Sequence, residues 1–268
     1  MISALAKASQ VFDEPKYLEA AQRTMTFVRS RAYRPTSGTL AHAYRSGIMR
    51  GGDYLDDYAF LIQGLLDLYE ASFDPKLLFL ALQLQSTQDR WFWDASSGGY
   101  FTTRSGDHSI LFQTREPYDG VEPSPSSVAA MNLLRFWQIT DSQSWKQKAD
   151  KTVATFSAIL EKQPEAVPFM ASVYDYSLAK HKQVVIVGRP ETDDTRKLLQ
   201  LVWQRYMPNR ILMLADGGQD QQELAKLLSV VSSMRMKDGR ATAYVCENYV
   251  CNLPTPDPNV VGRLLDTR

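Results

Sequence analysis

The sequence predicts a mainly α protein: a partial (α/α) toroid of paired antiparallel helices, with a small α/β unit near the C-terminus. Three observations predict it. Helices apolar around their whole circumference alternate with helices apolar on one side only. Helix starts built on Pro, and loops built on Gly, recur at a spacing of about 60–70 residues, the mark of stacked units. After Gln163-Pro164 the composition shifts to short β-branched runs separated by helical stretches.

Residues 2–12 read as a short helix through Ile2, Leu5, Ala6, Ala8 and Phe12, with no capping residue ahead of it. It is expected to be the remnant of an inner helix, with its apolar side exposed. Pro15 suits the first position of a second helix, which runs to about Arg31. Leu18, Ala21, Met25 and Val28 recur there at spacings of three and four, so that helix is one-sided. The loop RPTSGTLAHAY ends in alternating Leu40, His42 and Tyr44, a short strand.

The stretch RGGDYLDDYAFLIQGLLDLYE, residues 50–70, organises the rest. Gly51-Gly52 turns the chain and Asp53 is placed to cap the helix. Tyr54, Leu55, Tyr58, Ala59, Leu61, Ile62, Leu65, Leu66, Leu68 and Tyr69 then leave no polar face, so this helix is expected to be buried on all sides. Its dense polar group, Asp53, Asp56 and Asp57, lies in the first turn, so chemistry is expected at that end.

Asp74-Pro75 starts another helix, to about Arg90. WFWDASSGGYFTT then repeats the earlier Gly loop, and Glu122-Pro123-Ser124-Pro125 opens a third copy. Its helix, residues 128–140, is again apolar all round. Its partner carries one stripe, Trp145, Ala149, Val153, Phe156 and Leu160. One-sided helices face water in an outer layer; fully apolar ones form the inner layer. Residues 1–180 are therefore read as the partial toroid. Residues 181–268 are read as the α/β unit, with predicted strands at 184–188 and 210–214, a third strand region or hairpin at 241–251, and a final helix from Asp257-Pro258 that completes the last hairpin. The expected sheet is parallel.

Composition narrows the function. Thirty basic and thirty acidic residues give zero formal charge, with no basic stripe, so neither nucleic acid nor an anionic membrane surface is an expected partner. No apolar stretch approaches the roughly 20 residues of a membrane span. The N-terminus lacks a signal layout, and two cysteines are too few for a disulfide framework. A cytoplasmic protein is expected; a processed chain could instead be secreted.

Asp53, Asp56 and Asp57 stand at i, i+3 and i+4, on one helix face, and Glu122 holds the same place before the next inner helix. Paired carboxylates can act as acid and base on sugars. Asp57, Glu122 and Asp53 are the catalytic candidates; capping of the helix start is the simpler account of the same residues. His42, Tyr54, Trp91, Trp93 and Tyr100 are the substrate-binding candidates, since aromatic faces stack on sugars, though aromatics also fill cores. His42, His108 and His181 lack metal-ligand spacing, and GxGxxG is absent, so no metal or cofactor is expected. Cys246 and Cys251 are five apart, which puts them on opposite faces of a straight strand. They are expected to be buried free thiols, unless Asn248 makes a turn.

The segments GGDYLDDYAFLIQGLLDLYEA, WFWDASSGGYFTT, YDGVEPSPSSVAAMNLLR, KQVVIVG and ATAYVCENYVCNLP together resemble the C-terminal part of the spermatogenesis-associated protein 20 family. In that family a thioredoxin-like domain precedes a long helical region. The resemblance implies a six-hairpin, glycosidase-like ring, similar to N-acylglucosamine 2-epimerases. It implies a non-enzymatic role in spermatogenesis, or alternatively a carbohydrate-active epimerase or glycosidase acting through the rim carboxylates of the complete ring. With between three and four hairpins and no thioredoxin-like domain, the chain is expected to be a C-terminal piece or short isoform. Neither redox activity nor turnover is expected of it alone. Its expected partners are a carbohydrate or small molecule and, through the open edge of the ring, a second copy.

Overall fold

A computed structural model describes residues 1–51, 54–106, 111–247 and 250–267. Asp53, His108 and Asn248 lie outside the described residues. Eight helices come first: α1 (Ile2–Phe12), α2 (Pro15–Arg31), α3 (Leu55–Ser72), α4 (Pro75–Phe92), α5 (Pro125–Thr140), α6 (Gln143–Ala154), α7 (Ser157–Lys162) and α8 (Pro168–Leu178). Between α2 and α3 the expected single strand is two small hairpins, β1 (Tyr33–Arg34) with β2 (Thr39–Leu40) and β3 (Ala43–Arg45) with β4 (Ile48–Arg50).

Local chemistry sets the helix starts. Asp74 accepts from the Lys76 amide at 3.0 Å, and Ser124 from the Ser126 amide at 3.3 Å, each with Pro at the next position. α1–α2, α3–α4 and α5–α6 are each joined by two residues, the first in left-handed conformation: Asp13 at φ 53°, Phe73 at 59° and Asp141 at 56°. One reversal, used three times, is the physical content of the repeat. The central helix departs from expectation at its start. Its N-cap position is Tyr54, with no side-chain capping bond; the expected cap, Asp53, lies outside the described residues.

α1, α3, α5 and α8 form one row, each packed on the next, and α2, α4 and α6 pack behind them. α3 and α5 are buried nearly all round, through Tyr58, Ile62, Leu65, Leu66, Tyr69, Val128, Leu133 and Phe136. α2 fully buries only Ala21 and Met25. Leu61 and Met131 are half-buried against this core. α4 keeps an exposed stripe through Lys76, Gln83, Ser86 and Arg90, as an outer helix should. One detail differs from the sequence reading. The apolar side of α1 is covered: Ile2 and Ala6 are buried on α3, where Gly64 leaves room for Ile2, while Ala4 and Lys7 face solvent and Val11 and Phe12 are exposed at its end.

The α/β unit comprises β5 (Lys182–Val187), α9 (Asp193–Trp203), β6 (Arg210–Ala215), α10 (Gln219–Ala225), β7 (Thr242–Glu247), β8 (Val250–Cys251) and α11 (Pro258–Asp266). α10 packs against β6 and α4. The sheet order is β6-β5-β7-β8. β5 and β6 are parallel, but β7 runs antiparallel to β5, so the sheet is mixed, not parallel. After α10 the chain passes to the other side of β5 and enters β7 from the opposite end.

Both sheet faces are buried. Val185, Val187, Ile211 and Met213 join the helical core, while Val184, Ile186, Leu212 and Leu214 pack with α9 and α11. That is why the run KQVVIVG shows no polar alternation. The cysteines correct a further expectation. Cys246 lies directly opposite Cys251 in the β7–β8 hairpin, and the two form a disulfide. The straight-strand rule fails because the chain doubles back between residues 247 and 250.

Candidate functional site

The first turn of α3 and the approach to α5 meet around two adjoining cavities, of about 590 and 380 Å³. Both are lined by Asp56, Phe60 and Glu122. The larger adds Asp57, His42 and Phe27; the smaller adds Tyr54 and Tyr118. The amides of a helix start carry partial positive charge, which favours carboxylates there. His42, just after β2, places Nδ1 at 3.1 and 3.2 Å from the two oxygens of Asp57. The Tyr54 ring packs edge-on against His42, with centroids 4.9 Å apart. Burial pushes the Asp56 carboxyl above its usual range and the charge of Glu122 adds to this, against its own backbone N–H and His42. The site therefore pairs a carboxylate bonded to imidazole with a neighbour whose own pKa is raised by burial.

Glu122 sits in a turn fixed from elsewhere. Asp119 accepts from the Ser124 amide at 2.7 Å with one oxygen, and from the Phe169 and Met170 amides at 2.7 and 3.2 Å with the other. α8 has no side-chain cap of its own at its start, so Asp119 supplies one across fifty residues of sequence. The Ser124 hydroxyl also donates to the Glu116 carbonyl at 3.1 Å. Sequence reading singled out neither Asp119 nor its role, since nothing local marks a side chain that caps a distant helix.

Of the expected site residues, His42, Tyr54, Asp57 and Glu122 come together here. Asp53 lies outside the described residues. Trp91, Trp93 and Tyr100 line neither cavity. Tyr100 is fully buried, donating to Asp89 at 2.6 Å and accepting from Gln85 at 3.1 Å, with Trp93 edge-on to it. Trp91 packs edge-on against Tyr58 beneath the Arg104 guanidinium. Core filling explains all three.

A second polar cluster lies toward the other end of α3. Arg135 of α5 meets Asp67 at 2.9 Å and Glu70 at 3.1 Å; Arg210 of β6 meets Glu70 at 3.0 Å; Lys7 of α1 meets Asp67 at 3.3 Å. The Ser3 hydroxyl donates to Asp67. Burial alone would raise the Asp67 carboxyl, but Arg135 and Lys7 hold it below its usual range. The signal was present in sequence: three charges on helices that are otherwise apolar all round must find partners.

Among the described residues no group of three or more His, Cys, Asp or Glu is placed to hold a metal, and no helix is long and apolar enough to cross a membrane. No family model matches the chain. The chain is 36% identical to spermatogenesis-associated protein 20 of Rattus norvegicus and of Homo sapiens, over 276 aligned positions that take in 99% of this chain and 35% of each relative. It is 29% identical to an uncharacterized protein of Caenorhabditis elegans over 262 positions, 94% of this chain and 35% of that one. The chain thus spans about a third of the length of the curated relatives it matches.

Proposed function

We propose, from this similarity to the mammalian spermatogenesis-associated proteins, that the chain serves sperm formation as a non-enzymatic domain. The observation that carries the reading is the identity of 36% across 99% of the chain, which takes in both the helical rows and the α/β unit. The reading takes the two helical rows as an arc of an (α/α) ring that longer relatives extend, with the exposed Val11 and Phe12 at the end of α1 as a contact with the adjoining hairpin of that ring. Its test is deletion of the parent gene with scoring of sperm counts and stages. Arrest of sperm development supports the role; normal development and fertility overturn it.

A second reading is a carbohydrate-active enzyme. It is favoured by the gathering of Asp56, Asp57, Glu122 and His42 at one cavity of about 590 Å³. In it Asp57, held by His42, is the base, and Glu122 or Asp56 is the acid, with Tyr54 as a sugar-facing ring. Epimerisation or glycoside hydrolysis by a full-length relative should fall about a hundredfold or more when the equivalent of Asp57 becomes Asn. Unchanged turnover removes this reading.

A further inference from the structure

The charged cluster on α3 borders a cavity of about 240 Å³, lined by Lys7, Asp67, Glu70, Arg135, Tyr176 and Arg210. Four helices, α1, α3, α5 and α8, and the strand β6 each contribute to it, with Met207 and Pro208 of the loop before β6 closing one side. We infer that this cavity binds a small oxyanion, a phosphate or a short carboxylate.

Charge balance favours an anion. Three cationic groups line the cavity against two carboxylates, which leaves one positive charge uncompensated. The two guanidiniums offer five N–H donors each, and the ion pairs to Asp67 and Glu70 take three of them. Guanidinium presents its donors as a planar fork that matches the oxygens of carboxylate and phosphate.

Tyr176 points the same way independently. It is 4% exposed, and its hydroxyl has no hydrogen-bond partner among the described residues. An orphaned buried hydroxyl is costly and is expected to have a use. Burial holds its proton well above the ordinary tyrosine range, so it meets a ligand as a donor. A donor beside surplus positive charge selects a negatively charged oxygen.

Size and access narrow the class. Cavities for drug-sized ligands start at about 300 Å³, so this one suits an ion or a molecule of a few heavy atoms. The Lys7 side chain is 47% exposed and stands at the mouth, while the guanidiniums lie deeper.

The test is thermal shift and titration calorimetry on the whole chain with sodium phosphate, sodium succinate and sodium acetate, each against sodium chloride at equal ionic strength. A saturable rise in Tm is expected with at least one oxyanion, and which one responds identifies the source. Tyr176→Phe keeps the ring and the fold and should weaken binding about tenfold or more; Lys7→Gln should weaken it as well. Lys197→Gln, on α9, should leave it unchanged. No saturable response to any of the three anions, or equal affinity in wild type and Tyr176→Phe, overturns the assignment.

Discussion

Glu70 and Arg210 meet at 3.0 Å, and this pair fastens α3 to the first residue of β6. Both side chains are almost wholly buried. The pair thus joins the helical rows to the sheet across the wall of the charged cavity.

Arg210→Met should therefore destabilise the protein by about 3 kcal/mol, the low end for breaking a buried pair, because Arg135 still meets Glu70. Adding Glu70→Gln to that variant should cost less than the sum of the two single changes. Urea denaturation measures both. A cost below about 1 kcal/mol for Arg210→Met would mean that the junction rests on apolar packing alone.

Two glycines should respond with opposite sign. Gly64 lies inside α3, and an added Cβ would stand 3.5 Å from the Ile2 side chain, an ordinary contact. Gly64→Ala should stabilise by about 0.5–1 kcal/mol, since glycine loses more backbone freedom in a helix. At Gly188, just after β5, the same atom would stand 2.3 Å from Thr195 Oγ1 and 3.0 Å from Ala241 Cβ. Gly188→Ala should destabilise by about 1–3 kcal/mol. Thermal melts of the two variants that shift in the same direction would contradict this packing.

His181 makes stability fall in mild acid. Its ring is buried against Tyr176 and Trp137, and burial first, then the charge of Lys146, holds its pKa below 6.5, against a backbone contact to Tyr176. The unfolded chain takes up this proton before the folded one does. The contribution is therefore complete above pH 6.5 and is lost as pH falls through the lowered folded value. The slope should reach at most about 1.4 kcal/mol per pH unit, and His181→Gln should flatten it. Chemical denaturation at a series of pH values between neutrality and about pH 5 reads the difference.

What could be read from the sequence was what local chemistry decides. Asp74-Pro75, Ser124-Pro125 and Asp257-Pro258 each start a helix where the capping side chain and the proline require it. KQVVIVG became a strand buried on both faces. Of the candidate site, the carboxylates of the first turn and His42 were found, because the start of a buried helix is where polar side chains can gather. What escaped was decided by partners far along the chain. Asp119 caps α8 from fifty residues away, and Glu70 finds Arg210 140 residues on. The direction of β7 is set by the path after α10, which no periodicity encodes. The disulfide depended on a doubling-back that the spacing of its cysteines argued against.

The way the chain returns past β7 has a consequence for life in a crowded solution. Val250–Cys251 pairs with the end of β7; Asn252 then donates to the Val245 carbonyl, and Thr255 exchanges bonds with Ala243 in both directions. The outer margin of the sheet is thereby occupied by the protein's own backbone, clamped by a covalent bond. The edge strand left on this side is two residues long, too short a template for a stray strand from a neighbouring molecule to begin a fibril.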